Sequence, residues 1–337
     1  MTLDEIARAM VAKGKGILAA DESTGTIAKR LESIKVENTE ANRQAYRDLL
    51  FTAAGGAKYV SGVILYEETL KQKALNGTPF PKLLQDQGIL PGIKVDKGVK
   101  PLAGAADYPI TEGLDGLRER FAEYAKLGAK FAKWRAVIKI VNGTTSDAAI
   151  HANAHALARY AALSQEAGIL PIVEPEVLMD SDHSIEACED VTSRTLRDVF
   201  AELASQNVRL EGIVLKPNMI VSGEKNKRQA GIDEVAERTL RVLKRHVPAA
   251  VPGIAFLSGG QSEELATAHL NAMNKNPLPW GLTFSYGRAL QQSALQAWGG
   301  KTENVAKAQK TYLHRAKMNS LAGTGQYSVA AEKELAA

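Results

Sequence analysis

The sequence has one cysteine, no long apolar run and no concentration of charge of one sign. Because Cys188 stands alone among 337 residues, an intrachain disulfide and a cluster of thiolate metal ligands are both excluded. No segment reaches the ~18 uninterrupted apolar residues typical of a membrane-spanning helix, and the N-terminal segment lacks the apolar core of a signal peptide. We therefore expect a cytoplasmic protein with no membrane partner.

The basic residues are scattered along the chain. Lysine and arginine together number 42 against 38 acidic residues, which gives a net charge of only +4. Since nucleic-acid-binding proteins gather their basic residues into a patch or run, we expect no nucleic-acid partner. The hydrophobic content of 45% is ample for a globular protein with a buried core.

Strand-like apolar segments recur along the chain, and most are followed by a helical pattern, as expected for repeated βα units. Eight such segments predict a (β/α)₈ TIM barrel, a single domain over residues 1–337 with additional N-terminal and C-terminal helices and a C-terminal tail from about residue 321. A doubly wound open sheet is the alternative fold. The segments cover residues 16–20, 59–65, 90–95, 129–134, 169–174, 210–216, 253–258 and 280–285.

Charged residues stand at the carboxyl ends of four consecutive segments. Residues two apart on a strand point to the same face, so each charged pair projects together from its strand. In a parallel barrel these ends meet at one mouth, which predicts a cavity built for ionic chemistry. The residues are Lys94 with Asp96, Lys133 with Arg135, Glu174 with Glu176, and Lys216.

The ends of the other predicted strands carry polar and small residues. Asp21 and Ser23 follow the first strand. The last two strands are followed by loops of the kind that binds phosphate in this fold, because small residues let backbone N–H groups approach an oxyanion and arginine adds a two-pronged contact. These loops contain Ser258, Gly259 and Gly260, and then Ser285, Gly287 and Arg288.

Lys216 is the strongest candidate for catalysis. A neutral lysine amine can attack a ketone to form an imine, whose protonated form accepts electrons better than the parent carbonyl. A neighbouring cation such as Lys133 favours the neutral amine. The alternative is a structural network of ion pairs that closes the barrel, but burying several charges is costly and leucines would serve a purely structural end better.

Other signals in the sequence point to no cofactor. His151 and His155 have the spacing of two helical metal ligands, but no third ligand or catalytic glutamate accompanies them, so we predict no metal site. The SGGQ segment lacks the three-glycine spacing of a dinucleotide fingerprint. Trp134 alternates with Lys133 and is predicted to pack behind the barrel wall.

Taken together, seven motifs in order resemble class I fructose-1,6-bisphosphate aldolase, the metal-independent Schiff-base enzyme of glycolysis and gluconeogenesis. The resemblance extends from about residue 14 to residue 327 and implies a (β/α)₈ barrel, usually a homotetramer, that needs no cofactor. Its substrate is a phosphorylated sugar, cleaved reversibly to dihydroxyacetone phosphate and glyceraldehyde 3-phosphate. The motifs are LAADEST, GIKVDKG, FAKWR, PIVEPE, LKPN, FLSGGQS and TFSYGRAL.

The resemblance assigns catalytic roles to six residues. Lys216 corresponds to the imine-forming lysine, and Glu174 to the general acid and base of imine formation, with Glu176 tuning its charge. Asp21 and Lys133 correspond to residues that contact the reacting hydroxyls. The remaining residue, Arg135, supports this network.

The resemblance also assigns the substrate's two phosphates. Ser258, Gly259 and Gly260, together with Gly287 and Arg288 in the last loop, match the site of the ketose phosphate. Three further residues match positions near the second phosphate, and these are Ser23, Arg30 and Lys94.

In one respect the chain departs from the family. Its best-known members end in a tyrosine on a flexible tail, whereas this sequence ends in AAEKELAA and its last tyrosine is Tyr327. Another group is therefore expected to transfer the proton to and from the enamine.

Alternative functions are a Schiff-base aldolase for another phosphorylated ketose and a weakly active barrel that serves as a binding scaffold.

Overall fold

The computed structural model describes residues 1–333 and contains a closed barrel of eight parallel strands. The barrel strands are β1 Gly16–Ala20, β2 Val60–Leu65, β3 Leu90–Lys94, β6 Phe131–Ile138, β7 Leu170–Val177, β8 Val214–Leu215, β9 Gly253–Phe256 and β10 Gly281–Tyr286. A separate antiparallel hairpin consists of β4 Val99–Leu102 and β5 Ala105–Thr111. Around the barrel the order is β1, β10, β9, β8, β7, β6, β3 and β2. The predicted (β/α)₈ barrel is confirmed, and the open doubly wound sheet is excluded.

Helices follow the strands and surround the barrel, and further helices lie at both ends of the described chain, as the sequence predicts. They are α1 Leu3–Met10, α2 Thr24–Ser33, α3 Glu40–Phe51, α4 Glu67–Lys71, α5 Phe80–Asp86, α6 Leu117–Lys126, α7 Asp147–Glu166, α8 Ile185–Ser205, α9 Ile232–His246, α10 Glu263–Met273, α11 Arg288–Trp298, α12 Val305–Ala322 and α13 Val329–Lys333. Short 3₁₀ turns occupy Gly56–Lys58, Leu210–Gly212 and Thr302–Asn304. None of the helices within residues 1–333 combines the length and the hydropathy that crossing a bilayer requires.

Three of the outer helices begin at a capping serine. The hydroxyls of Ser146, Ser184 and Ser262 accept hydrogen bonds from the backbone N–H groups three residues on, at 3.4, 3.2 and 3.1 Å. Such caps satisfy N–H groups that the first turn of a helix leaves free. They fix the points at which α7, α8 and α10 start, close to the carboxyl ends of the preceding strands.

The barrel interior changes from apolar to charged along the strands. Its lower half is a cluster that includes Ile17, Phe131, Ile172 and Val214. Interior residues recur every second position, and those that follow Phe131, Ile172 and Val214 are charged, namely Lys133, Glu174 and Lys216. On β1 the residue after Ile17 on this face is the apolar Ala19, and Asp21 follows it. Helix α1 closes the lower end, since its apolar side chains belong to this cluster. The polar half of the barrel therefore opens at the carboxyl ends of the strands.

Three of the predicted strands had wrong boundaries. The segment predicted as a strand over residues 210–216 contains a 3₁₀ turn and only the two-residue strand β8. The side chain of Gln165 bonds to Arg209 O at 2.8 Å and to Gly212 O at 3.1 Å, and so takes backbone groups that a longer strand would use. By contrast, β6 and β7 extend four and three residues further than predicted, to Ile138 and Val177. Arg135 and both glutamates therefore lie within strands.

Phe131 offers a test of packing in the barrel interior. Its ring fills the space beside Gly62 and Gly92, where an added Cβ would come within 2.9 and 2.2 Å of the ring. We expect Phe131→Ala to lower the free energy of unfolding by about 3–5 kcal/mol, because it leaves a cavity that these backbones cannot fill. Urea unfolding followed by circular dichroism measures this loss. Phe131→Leu should lose less, and equal stability of all three proteins would contradict the packing role.

Candidate active site

A cavity of about 610 Å³ opens at the carboxyl ends of the barrel strands. Every residue that the sequence analysis assigned to the site lines it, including those carried over from the family resemblance. The interior face of the strands brings the charged side chains together, and the loops after β1, β9 and β10 supply the small and polar ones. The arrangement therefore gathers distant parts of the chain at one mouth.

The centre of the cavity is a chain of four charged groups, three of them buried. Lys216 Nζ lies 3.0 Å from Glu174 Oε1, and Lys133 Nζ lies 3.2 Å from Glu174 Oε2. Lys133 Nζ also lies 2.7 Å from Asp21 Oδ2. The side chains of both lysines and of Glu174 are only 4–5% exposed. One carboxylate is thus shared by two amines, an arrangement suited to moving a proton to or from Lys216.

Burial and charge act in opposite directions on Asp21 and Lys133. Burial alone would raise the pKa of Asp21, but the charges of Lys133 and Lys216 outweigh it and lower the pKa to about 2. Burial likewise opposes the charged form of Lys133, but Asp21 and Glu174 raise its pKa above the ordinary value. Lys133 therefore remains a cation beside Glu174, and Asp21 remains an anion.

A second group of charges surrounds this centre. Lys94 Nζ lies 2.6 Å from Asp96 Oδ1 and donates to Asp96 O at 2.9 Å. The other Asp96 oxygen accepts from the backbone N–H of Arg135 at 3.2 Å, and Arg135 forms an ion pair with Glu176. These contacts join the upper ends of β3, β6 and β7. They hold the polar rim together next to Glu174.

The loops after β9 and β10 form a place where an anion can approach the backbone. Gly259 and Gly260 lie so close to Met179 that an added Cβ would come within 2.8 and 2.3 Å of it, and Gly260 has a φ of +71°. Gly287 immediately precedes α11, whose N-terminus points towards the cavity rim. The buried Ser285 hydroxyl has no protein partner. A hydroxyl without a protein partner, glycines with no side chain and a helix N-terminus are features that suit the binding of a phosphate oxygen.

Two side chains fix the residue that follows this glycine loop. His269 Nδ1 lies 2.6 Å from Gln261 Oε1, and Arg288 donates to Gln261 O at 3.2 Å. Burial lowers the pKa of His269 to about 4, so this histidine stays neutral near pH 7. The loop after β9 is thereby bonded both to its own helix and to the start of α11.

The residues assigned to a second phosphate occupy two places on the rim. Lys94 ends β3, which lies four strands from β9 in either direction around the barrel and hence faces Ser258 across the mouth. Arg30 instead lies beside the last loop, since its Nη2 is 3.4 Å from the point where a Cβ of Gly287 would stand. Ser23 bonds to Thr26 at 3.2 Å at the start of α2. Cations thus stand on both sides of the central lysines.

Comparison with known proteins places the chain in a family. Residues 2–337 match the family described as fructose-bisphosphate aldolase class-I. The chain belongs to the class I fructose-bisphosphate aldolase family. It is similar to a probable fructose-bisphosphate aldolase class 1 from Xanthomonas campestris pv. campestris, with 58% identity over 96% of this chain and 98% of that one. A cytosolic fructose-bisphosphate aldolase 6 of Arabidopsis thaliana is also 58% identical, over 93% and 88% of the two chains.

A solved structure agrees with the aldolase fold along almost the whole chain. Fructose-bisphosphate aldolase from Plasmodium falciparum, crystallised with TRAP and a small-molecule inhibitor, has a TM-score of 0.95 and 52% identity, covering 97% of this chain and 95% of that one. The predicted family, fold and enzyme class are confirmed. This chain is a class I aldolase, a lyase that acts on a carbon–carbon bond.

Several residues at the mouth of this aldolase were missed as site residues. Glu22, Arg120 and Glu224 also line the cavity, beside Asp96, which the pattern of charged pairs predicted. Glu22 could have been found from its position next to Asp21. Arg120 lies on α6 and Glu224 in the loop after β8, so neither follows from a pattern at strand ends. Their approach depends on tertiary structure.

The histidine pair and the tryptophan have the surroundings of structural residues. His151 and His155 lie 3.5 and 3.0 Å from the carboxylate of Glu202. Among residues 1–333, no group of three or more side chains of histidine, cysteine, aspartate or glutamate is arranged to hold a metal ion. Trp134 is fully buried and stacks on Tyr160 of α7 at 5.7 Å, which confirms its predicted packing role.

The depressed pKa of Asp21 predicts a dependence of stability on pH. Its ionised form stabilises the fold fully above the ordinary pKa of 3.8, and that contribution is lost as the pH falls towards the lowered pKa of about 2. A shift of this size corresponds to about 2–3 kcal/mol. Asp21→Asn should therefore flatten the fall in unfolding free energy between pH 4 and pH 2, measured by urea unfolding. Substituting the exposed Asp115 by Asn is the control, and parallel curves for all three proteins would contradict the ion pair.

Proposed function

We propose that this aldolase cleaves fructose 1,6-bisphosphate reversibly, through a Schiff base on Lys216, to dihydroxyacetone phosphate and glyceraldehyde 3-phosphate. The observation that supports this most is the buried contact of 3.0 Å between Lys216 Nζ and Glu174 Oε1. A nucleophilic lysine must lose its proton before it attacks a carbonyl, and a carboxylate at hydrogen-bond distance can accept it. The names of the relatives support the substrate.

Imine formation follows from the central ion cluster. Lys216 attacks C2 of the open-chain ketose, and the resulting carbinolamine loses water with Glu174 returning a proton to the leaving hydroxyl. Lys133 remains protonated beside the same carboxylate. Its positive charge, 3.2 Å from Glu174 Oε2, offsets the negative charge of that carboxylate. Glu176, held by Arg135, adds negative charge nearby.

Cleavage requires removal of the proton from the C4 hydroxyl. The C3–C4 bond then breaks, its electron pair passes into the iminium, and glyceraldehyde 3-phosphate leaves. Asp21, with a pKa of about 2, is a weak base and is better suited to orienting a hydroxyl by accepting its hydrogen bond. We assign the proton transfer to Glu174 and the orientation of substrate hydroxyls to Asp21 and Lys133. Protonation of the enamine and hydrolysis release dihydroxyacetone phosphate.

The phosphate groups give the substrate its orientation. We assign the ketose phosphate to the loops after β9 and β10, with Arg288 as its charged ligand, and the second phosphate to Lys94, Ser23 and Arg30. The position of Lys94 across the mouth from Ser258 supports this assignment. Arg30 is bonded to Glu22 at 2.8 Å and lies beside the last loop. No cofactor is required, since each step is a proton transfer or a charge stabilisation.

We also infer from the family resemblance that residues 1–337 act as one domain, that the chain assembles as a homotetramer and that it works in the cytoplasm. Three of its relatives from Arabidopsis thaliana are named cytosolic. The described part of the predicted tail is bonded to α12, because Glu332 contacts His314 at 3.1 Å and accepts from Tyr327 Oη at 2.8 Å. The rest of the predicted tail, residues 334–337, lies outside the described residues. Analytical ultracentrifugation would test the assembly.

The assignment of Lys216 predicts the site of covalent trapping. Borohydride added with dihydroxyacetone phosphate should attach the substrate to Lys216, because reduction converts the imine there into a stable amine. Peptide mass mapping locates the adduct. Lys216→Ala should incorporate no label and should lose cleavage activity by several orders of magnitude while its melting temperature shows that it is folded. Labelling of Lys133 in the parent protein would overturn the assignment.

The assignment of Arg288 predicts a loss of substrate binding. Arg288→Ala should lower kcat/KM for fructose 1,6-bisphosphate by a factor equivalent to a free energy of about 2–4 kcal/mol. This is the scale of a lost charge-assisted contact at a desolvated site. Fructose 1-phosphate, which carries the ketose phosphate but not the second phosphate, is the control that shows which phosphate Arg288 contacts. Equal losses with both substrates support contact with the ketose phosphate, whereas a loss confined to the bisphosphate assigns Arg288 to the second phosphate. Unchanged steady-state constants would contradict both.

A further inference from the structure

The segment after Lys216 leaves the sheet while its neighbour continues. Strand β8 ends at Leu215, and its last contact with β7 along the ladder pairs Leu215 with Val173. Lys216 N still donates to Val173 O at 2.8 Å. The next residue, Pro217, has no N–H to donate, so the backbone cannot extend the ladder in the same way. Strand β7 nevertheless continues to Val177, past the glutamate that Lys216 contacts.

The side chain of Asn218 spans this gap. Its Oδ1 accepts from Val177 N at 2.9 Å, and its Nδ2 donates to Met219 O at 3.0 Å. A backbone N–H can only donate and a carbonyl can only accept, so these two partners fix which end of the amide is oxygen. Nδ2 also donates to Thr192 Oγ1 on α8 at 3.1 Å. Asn218 is 1% exposed, and these partners satisfy both ends of its amide.

We propose that Asn218 is a positioning residue that holds Lys216 at its working distance from Glu174. The inference rests on the proposed role of Lys216 as the imine-forming lysine. Glu174 lies three residues before Val177 on β7, and Lys216 lies two residues before Asn218. The amide therefore joins the two backbones just beyond the catalytic pair and acts as an additional bond between β7 and the segment that follows β8.

The bond matters because β8 is so short. A strand of two residues has few ladder hydrogen bonds to fix its position along its neighbours. The nucleophile, Lys216, lies directly after the last residue of this strand. Thr192 ties the same amide to α8, which fixes the loop from the outside of the barrel. A displacement of about 1 Å between reacting groups can slow a reaction by roughly a hundredfold. The loss of Asn218 should therefore slow imine formation without removing any group that touches the substrate.

Asn153 provides a matched control. It is also 1% exposed, and its side chain also accepts from a backbone N–H, that of Thr111 at 3.2 Å, and donates to backbone carbonyls of Pro109 and Ala149, both at 3.0 Å. It joins α7 to the hairpin, away from the catalytic pair, and does not line the cavity. Truncating either asparagine leaves comparable buried groups unpaired and should lower the melting temperature to a similar degree.

The test measures the rate of borohydride-dependent incorporation of dihydroxyacetone phosphate in the parent, Asn218→Ala and Asn153→Ala proteins. It also measures kcat and KM for fructose 1,6-bisphosphate in the same three proteins. We expect Asn218→Ala to slow trapping and lower kcat by roughly tenfold or more with KM changed less than about threefold, since misplacement impairs reaction more than binding. Asn153→Ala should keep both rates within about twofold of the parent. Equal rates in all three proteins would overturn the proposal.

Thr192→Val keeps the inference testable if Asn218→Ala does not fold. It removes the hydroxyl that accepts from Asn218 Nδ2 and leaves the segment from Lys216 to Met219 intact. We expect trapping to slow by about threefold, and an unchanged rate in a folded Thr192→Val protein would then overturn the proposal. The position of the label in the parent protein tests the role of Lys216 separately. Failure of that role is thereby distinguished from failure of the positioning inference.

Discussion

The structure depends on a buried carboxylate that is shared by two lysines. Glu174 meets Lys216 with one oxygen and Lys133 with the other, and Lys133 in turn meets Asp21. Removing such groups from water costs several kcal/mol for each ion, and good geometry and hydrogen bonding must offset that cost. An unpaired charge at this depth would be strongly destabilising. The four groups therefore constrain one another's positions, and the barrel must hold three strands and the first loop in register for them to meet.

The barrel provides this register by dividing its interior into two halves. Below the lysines the inward positions are apolar, and Phe131 packs directly on the backbones of Gly62 and Gly92. Above them the same strands carry charge at alternate positions. A tightly packed floor has little freedom to rearrange, so the charged side chains above it start from fixed backbone positions. The close packing of the lower half thus stabilises the barrel and also fixes the positions of the charged side chains in the upper half.

Loops complete the site with bonds that the strands cannot make. Asn218 extends the contact between β7 and the segment after β8, and Gln261 joins the loop after β9 to Arg288. Glu22 holds Arg30 and the buried Arg47 at 2.8 and 2.7 Å, directly beside Asp21. Each of these contacts supports a residue that lines the mouth. Preorganised support of this kind keeps polar groups aimed at the substrate without reorganisation during the reaction.

The sequence by itself determined the repeated βα pattern, the barrel, and the inward direction of Lys133, Glu174 and Lys216. These features follow from local periodicity, because alternate residues of a strand share a face and parallel strands end at a common edge. Motif resemblance added Arg30, which no strand pattern marks. The ends of β6 and β8, the hairpin, and the approach of Arg120 and Glu224 to the mouth were not predicted. They depend on contacts between residues far apart in the chain, such as the bonds of Gln165 to Arg209 and Gly212. Only the tertiary structure decided which charged groups pair. Glu174 contacts both Lys133 and Lys216 because the barrel brings these three residues, which are far apart in the chain, within hydrogen-bond distance.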